Sequence, residues 1–373
     1  MKGKIETIEM LKRLIEIPSW VGEGQNESQI GEYIFSSLKD NTNLKIEKQR
    51  VEGDRFNVIA WKGDEVDNLI VGHIDTVQPS NSWTIDPLKV KVDGDRLYGL
   101  GSTDMKSGVA VMMSLATDPD LPTGTMFLFY VDEEYDFVGM KSFVEEFSGK
   151  IKPRRIISLD GKELRVGNGC RGLIEISCVV KGKAAHAASP QNGANAIVKS
   201  YEILTDLFKW LDKYVDDELG PTTVNVAYIN GGQYKGETGE GLILGKQGNV
   251  IADVCQFILD IRPASNELSA EKIIDYIKKQ AVEKGVFLVG SSIRHNYGSW
   301  LTKSSELGNM ELPLGTPSQV GYIDVQMLWE SFGKVPCFTI GAAEQSMGHS
   351  PDEYVMISKV NELEEILRTI TRL

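Results

Sequence analysis

Apolar residues recur along this chain at two different spacings, and the change of spacing divides it. Ile8, Leu11, Leu14 and Ile15 within 4–18, and Ile30, Ile34 and Leu38 within 27–38, each fall on one side of a helix. Residues 44–49, 57–61 and 68–72 read as strands, followed by a Pro/Ser/Asn-containing loop at 78–88. A hairpin over 89–98 turns at Asp93-Gly94. A helix of small apolar residues at 107–116, a strand at 124–131, a helix at 139–147 and a strand at 155–159 complete this part. Alternation of helices with buried strands predicts an α/β domain around a mostly parallel sheet. From residue 173 the strands alternate apolar with polar positions, as half-solvated antiparallel strands do. Strand 173–182, helix 192–215, strands 222–229 and 250–261, helix 268–284 and strand 286–294 give β-α-β-β-α-β, a ferredoxin-like α+β sandwich. A helix at 322–332, a buried strand at 336–340 and a helix at 357–372 follow. The economical division is one α/β domain of residues 1–172 and 296–373, interrupted by an inserted domain of 173–295. A chain of 373 residues suits two cores better than one. Loops 78–88, 230–248 and 294–320 carry no readable pattern.

Composition narrows the partners. Forty Lys and Arg against fifty-three Asp and Glu leave a net charge of −13, with no basic run, which argues against nucleic acid. No stretch reaches the apolar length of a membrane span, so no membrane partner is expected. The amphipathic N-terminus lacks the apolar core and small-residue cleavage site of a signal peptide. Cys170, Cys178, Cys255 and Cys337 are scattered, without a C-x-x-C pair, as in a reducing cytoplasm. Two of them, Cys178 and Cys255, sit in strand-like runs as small buried hydrophobes.

Chemistry concentrates where strands end. His73 and Asp75 follow the apolar run 68–71 and, two positions apart on extended chain, point to the same side. An imidazole with a carboxylate on its other ring nitrogen suits a metal ligand held in one tautomer. By itself the pair is also compatible with a surface turn. Asp104 lies among glycines, and Gly99-x-Gly101 lacks the third Gly of a dinucleotide loop. Asp132-Glu133-Glu134 closes the run 126–131, where three acids repel one another unless a cation holds them or the turn is solvated. Asp160 closes 156–159, and His349 follows the strand 336–340. Three of the four histidines, His73, His186 and His349, occupy Gly-, Ala- or Pro-flanked loops; His295 does not, and reads as surface or core. Imidazoles and carboxylates in this number can hold two metals with a shared carboxylate, zinc first and cobalt or manganese as alternatives.

The motifs Gly72-His-Ile-Asp-Thr-Val77, Gly101-Ser-Thr-Asp-Met-Lys106, Asp132-Glu-Glu134, Gly182-Lys-Ala-Ala-His186 with Pro190 and Gly193-Ala-Asn-Ala-Ile197, and His349-Ser-Pro-Asp-Glu-Tyr354 occur in order along the chain. In this the chain resembles the zinc metallopeptidase and amidohydrolase family of acetylornithine deacetylase, succinyl-diaminopimelate desuccinylase, aminoacylase and glutamate carboxypeptidase. The resemblance implies a zinc-peptidase-like catalytic domain with an inserted dimerisation (lid) domain, and a homodimer formed through it. It implies that His73 and Asp160 hold one metal, Glu134 and His349 the other, and Asp104 bridges them. Glu133 would act as general base and acid, Asp75 would stand behind His73, and His186 would stabilise the oxyanion, across the dimer in many relatives. Asn249 and Arg262 would contact the substrate carboxylate, although a salt bridge to Asp260 is an equal alternative for Arg262.

The implied reaction is hydrolysis of an N-acyl amino acid or a small peptide. Asp160 stands where acyl-amino-acid deacylases commonly carry Glu, and Asp160-Gly-Lys162 replaces their acid-Pro-Thr; an Asp at this position is more typical of the aminopeptidase and dipeptidase branches. Leu100 and Ser107 replace a common Arg and Gly, and residues 135–138 lack the usual glycines. The other classes are a non-catalytic metal-binding relative, which would usually lose a ligand or the base, and a serine or cysteine hydrolase, for which no G-x-S-x-G elbow is present.

Overall fold

The structure is a computed structural model and describes residues 6–22, 24–239, 241–308 and 312–372. Helix α1 (Thr7–Glu16) buries Met10, Leu11, Leu14 and Ile15, and Pro18 stands just beyond its end. Residues 4 and 5, included in the expected helix, lie outside the described residues. Then come α2 (Ser28–Asn41), β1 (Lys45–Glu52), β2 (Arg55–Lys62), β3 (Asn68–His73), β4 (Lys91–Asp93) and β5 (Arg96–Tyr98). Next are α3 (Ser107–Ala116), β6 (Thr125–Tyr130), α4 (Val138–Phe147) and β7 (Arg155–Ser158). Helix α3 is apolar and small-residued all round and every residue of it is buried. Then follow β8 (Leu173–Lys181), α5 (Ala196–Leu211), β9 (Thr223–Thr238), β10 (Gly241–Gly245), β11 (Val254–Arg262), α6 (Ala270–Glu283) and β12 (Phe287–Tyr297). The chain ends with α7 (Val325–Ser331), β13 (Cys337–Thr339), β14 (Tyr354–Met356) and α8 (Ile357–Ile370).

The residues fall into two units, Met1–Asn168 with Thr302–Gly315 and Asp324–Leu373, and Gly169–Leu301 with Thr316–Ile323. The expected boundaries at 172 and 296 therefore shift by a few residues, and 316–323 joins the second unit. Within the first unit the sheet order is β1-β2-β6-β3-β7-β13. The pairings β6–β3, β3–β7 and β7–β13 are parallel; β1–β2 and β2–β6 are antiparallel. Strands β3 and β6 are buried at every position, which explains their unbroken apolar runs. Burial of Phe127 and Phe129 in this core is worth about 2–3 kcal/mol each. A small antiparallel sheet, β14-β5-β4, joins the last strand to the predicted hairpin.

The second unit is an antiparallel sheet of order β10-β9-β11-β8-β12. Its core packs α5 (Ile203, Leu207) and α6 (Ile273, Ile277) against Ile176, Cys178, Phe257 and Leu259. The four strands β9, β11, β8 and β12 with the two helices make the ferredoxin-like sandwich. Helix α5 starts later than its apolar pattern because Asn195 caps it, its Oδ1 accepting from Ile197 N (3.0 Å) and Val198 N (3.3 Å). The segment 230–248 is not the patternless loop expected. It is an extended hairpin in which β9 runs on to Thr238 and pairs with β10, and residue 240 lies outside the described residues. Nearly every position of its outer half is at least partly exposed, on both faces, so no apolar alternation marks it. Similarly 294–297, expected as loop, continues β12, while 309–311 lie outside the described residues.

Candidate metal centre

The three parallel pairings leave the carboxyl ends of β3, β6, β7 and β13 side by side, where α/β sheets place their ligands. His73 is the last residue of β3 and is 1% exposed. Its Nε2 lies 3.2 Å from Asp104 Oδ1. Its Nδ1 lies 3.2 Å from the Asp75 carbonyl oxygen and 3.4 Å from Asp75 Oδ1. On the other side of Asp104, His349 Nε2 is 3.6 Å from Oδ2 and 2.9 Å from Glu134 Oε1. Each oxygen of one carboxylate thus faces a different imidazole. Ligand atoms of His73, Asp104 and Asp160 all lie within 4.8 Å of one another, as do those of Asp104, Glu134 and His349. A third group, His73, Glu133 and Glu134, meets the same limit.

Close backbone approach delivers Asp160. A Cβ on Gly161 would meet the backbone of Ile340 and Gly341 at 2.4–2.5 Å, so only glycine lets β7 and β13 leave the sheet in contact. The next residues are zipped to the chain beyond β13 by Glu163 N to Ala343 O and Leu164 N to Gly341 O, both 2.9 Å.

Asp75 has a task beyond His73. Its Oδ1 accepts from Glu133 N (3.2 Å) and its Oδ2 from Glu134 N (3.0 Å), so one buried carboxylate orients both glutamates. Asp132, the first acid of the triplet, turns away from them. Its Oδ1 accepts from Arg55 Nη2 at 2.5 Å, and its Oδ2 accepts from the backbone of Asp136 and Val138, both at 3.1 Å. Arg55 also grips the buried Glu27 through two bonds of 2.8 and 2.6 Å. The cation that holds this acid is therefore a guanidinium. Neither Arg55 nor Glu27 was legible, because they lie 77 and 105 residues before Asp132 and carry no motif. Asp324 was also missed: fully buried, it accepts from Tyr130 Oη at 2.8 Å, and the Tyr130 ring stands edge-on 6.3 Å from His73.

The electrostatics follow from crowding. Burial, reinforced by Asp104, pushes Asp160 up to about 6, and burial raises Glu133 well above the usual carboxyl range. The hydrogen bond to Glu134 lifts His349 to about 9. For His73 burial pulls the imidazole down, but the bonds to Asp104 and Asp75 outweigh it. The charge of Lys162 reaches Asp104 and Asp160. Carboxylates packed this closely repel one another, and a divalent ion among them reverses the sign of that interaction. Two imidazoles with three carboxylates form a mixed nitrogen and oxygen donor set of the kind zinc accepts.

The remaining candidates lie in the second unit. His186 is exposed, and its Nδ1 accepts from Ala188 N at 3.1 Å. Its segment pairs with that of Asn249 through Ala187 N to Asn249 O (2.9 Å) and Ile251 N to Ala185 O (2.8 Å), so the two residues are brought together. Arg262 makes the salt bridge weighed as its alternative, two bonds of 2.7 and 2.9 Å to Asp260. His295 is buried on β12. All four cysteines are buried.

A doubly layered α/β sheet that collects imidazoles and carboxylates at its strand ends, in a chain with a separate α+β unit, defines the class of metal-dependent hydrolases. Residues 168–286 match the peptidase dimerisation domain of the M20 family. A peptidase M20 domain-containing protein of Schizosaccharomyces pombe is 27% identical over 95% of this chain and 81% of its own length. An acetylornithine deacetylase of Vibrio campbellii is 29% identical over 66% of this chain and 63% of that protein. The M20 family metallo-carboxypeptidase Sso-CP2 of Sulfolobus solfataricus shares the fold, with a TM-score of 0.76 at 17% identity over 99% of this chain and 100% of that one. The chain is thus similar over most of its length to M20 peptidases and acetylornithine deacetylases, and it carries their dimerisation domain at residues 168–286. Among the described residues no helix is long and apolar enough to cross a membrane.

Proposed function

We propose that this chain hydrolyses the amide of an N-acyl amino acid, in the manner of acetylornithine deacetylase or succinyl-diaminopimelate desuccinylase, and that it uses two divalent ions, zinc first. The observation that carries this reading is Asp104, shared by two of the three ligand groups, with one oxygen toward each imidazole. His73 and Asp160 would hold one ion, Glu134 and His349 the other, and Asp104 both. Bound there, the ions would supply Lewis-acid polarisation of the amide carbonyl and a lowered pKa for water. Glu133, oriented through its N–H by Asp75, accepts the proton of the attacking water. As the C–O bond forms and the C–N bond breaks, Glu133 returns that proton to the leaving amine. His186 would stabilise the oxyanion, and Asn249 with Nη1 of Arg262 would receive the substrate carboxylate. The second unit would pair two chains into a homodimer.

A second reading, cleavage of a dipeptide or an N-terminal residue, is favoured by Asp160-Gly-Lys162 in place of the deacylase pattern. Hydrolysis of acetylated and succinylated amino acids and dipeptides, run side by side, separates the two. Activity should vanish with EDTA and return with Zn²⁺, Co²⁺ or Mn²⁺; unaltered turnover after full metal removal would sink both. Glu133→Ala should bind metal and lose about 10²–10⁴ in rate. If neither the native chain nor the variant hydrolyses anything while both bind metal, the protein is a non-catalytic relative.

A further inference from the structure

The segment that carries His349 also carries Glu353, a carboxylate 2% exposed. Glu353 Oε2 accepts from Gly101 N at 2.9 Å, and Oε1 accepts from Thr103 N at 2.8 Å and Asp104 N at 2.9 Å. Its own carbonyl oxygen accepts from Gly99 N at 3.0 Å, and Tyr354 O accepts from Thr103 Oγ1 at 2.5 Å. Beyond it, β14 pairs with β5 from Tyr354↔Tyr98 to Met356↔Arg96. The loop 99–104 is thus bound along its length to residues 353–354. It needs that support. Gly101 has φ +75° and Asp104 has φ −123° and ψ 98°, so the turn before α3 cannot satisfy these N–H groups by helical bonding. The preceding Asp352 is anchored in turn, its carboxylate accepting from Thr84 N (2.8 Å) and Ile85 N (3.3 Å).

Resting on the two-metal reading above, we propose that Glu353 is a positioning residue for the bridging carboxylate. It acts through the backbone of Asp104, and because it lies four residues from His349 it registers that imidazole and Asp104 against one another. One anion that collects three buried N–H groups is a strong and directional clamp. Its removal would leave those donors unpaired and let Asp104 drift from the line between His73 and His349.

The test is zinc titration of the full chain, by calorimetry and by metal content after gel filtration, for native protein, Glu353→Gln, Glu353→Asp and Glu353→Ala. Glu353→Gln keeps the shape but sets an NH₂ against one of the N–H donors. Native protein should hold two zinc ions per chain. Glu353→Gln and Glu353→Ala should bind at least one of them about 10–100-fold more weakly. Their kcat should recover with excess zinc while KM stays put. Glu364→Ala, whose side chain packs against α1, α3 and α8, serves as the control that lowers Tm without changing zinc affinity. Native zinc affinity in Glu353→Gln and Glu353→Ala would overturn the inference and leave the two-metal reading standing. A native chain that binds no zinc would overturn both. If Glu353→Ala fails to fold, Glu353→Gln and Glu353→Asp decide, and native affinity in both is the overturning result.

Discussion

At the scale of single residues, the roles proposed for His73 and Asp75 separate ligation from orientation. His73 offers Nε2 to the cluster, whereas both oxygens of Asp75 are engaged with Glu133 N and Glu134 N. His73→Ala should therefore empty one metal position. Asp75→Asn, which loses one of the two acceptors, should reduce kcat about 10–100-fold with a smaller loss of metal. Metal analysis alongside steady-state kinetics checks this. Full metal and full rate in both variants would remove this stretch from the centre of the site. The same scale explains Asp132. It belongs to the acidic triplet by sequence but not by chemistry, since Arg55 and two backbone N–H groups saturate it.

At the scale of elements, α8 is riveted to α1 and α3 by one carboxylate. Glu364 accepts from Thr7 Oγ1, from Ser114 Oγ at 2.9 Å and from Arg368 Nη2 at 2.6 Å. Burial pushes this carboxyl up, but these bonds outweigh it and hold its pKa below the ordinary 4.5. The fold therefore favours the ionised form. Its stabilisation is fully present above about pH 4.5 and is lost as pH falls through the lower folded-state value. Glu364→Gln should cost about 3 kcal/mol at neutral pH. That difference from native protein should shrink on acidification below about pH 4.5, measured by urea unfolding across pH. A constant difference at every pH would show that ionisation of Glu364 is not the source.

At the scale of the whole molecule, the second unit presents apolar side chains that its own core does not use. Val198 and Tyr201 on α5 are 50% and 70% exposed, and Tyr228, Ile229, Tyr234 and Ile243 are exposed on β9 and β10. Helix and strand adjoin here, because a Cβ on Gly231 would meet Ile197 Cγ1 at 2.4 Å. Apolar surface of this kind on a dimerisation domain is the face expected to pair two copies. Val198→Glu with Tyr201→Glu should convert the proposed homodimer to monomer in light scattering coupled to gel filtration. A dimer that persists would move the interface elsewhere on the chain.

Local signals made much of this protein legible. Apolar runs marked β3, β6 and β7, and acids or imidazoles at their ends named His73, Glu133, Glu134 and Asp160 as candidates, while Asp104 among its glycines and His349 in its loop stood out by their motifs. Periodicity sufficed for the buried elements because burial on a known face writes itself into the sequence. It failed for the hairpin of β9 and β10, whose outer half meets solvent on both sides and records no face. The family motifs implied Asp104 as the bridge and Glu134 beside His349, but residue spacing did not; the tertiary structure brings Asp104 within reach of both imidazoles. It alone brought Arg55 and Glu27 to Asp132, and Glu353 to a loop about 250 residues earlier. Those contacts depend on strand order and on the three-dimensional return of the chain, and neither is encoded in the spacing of neighbouring residues.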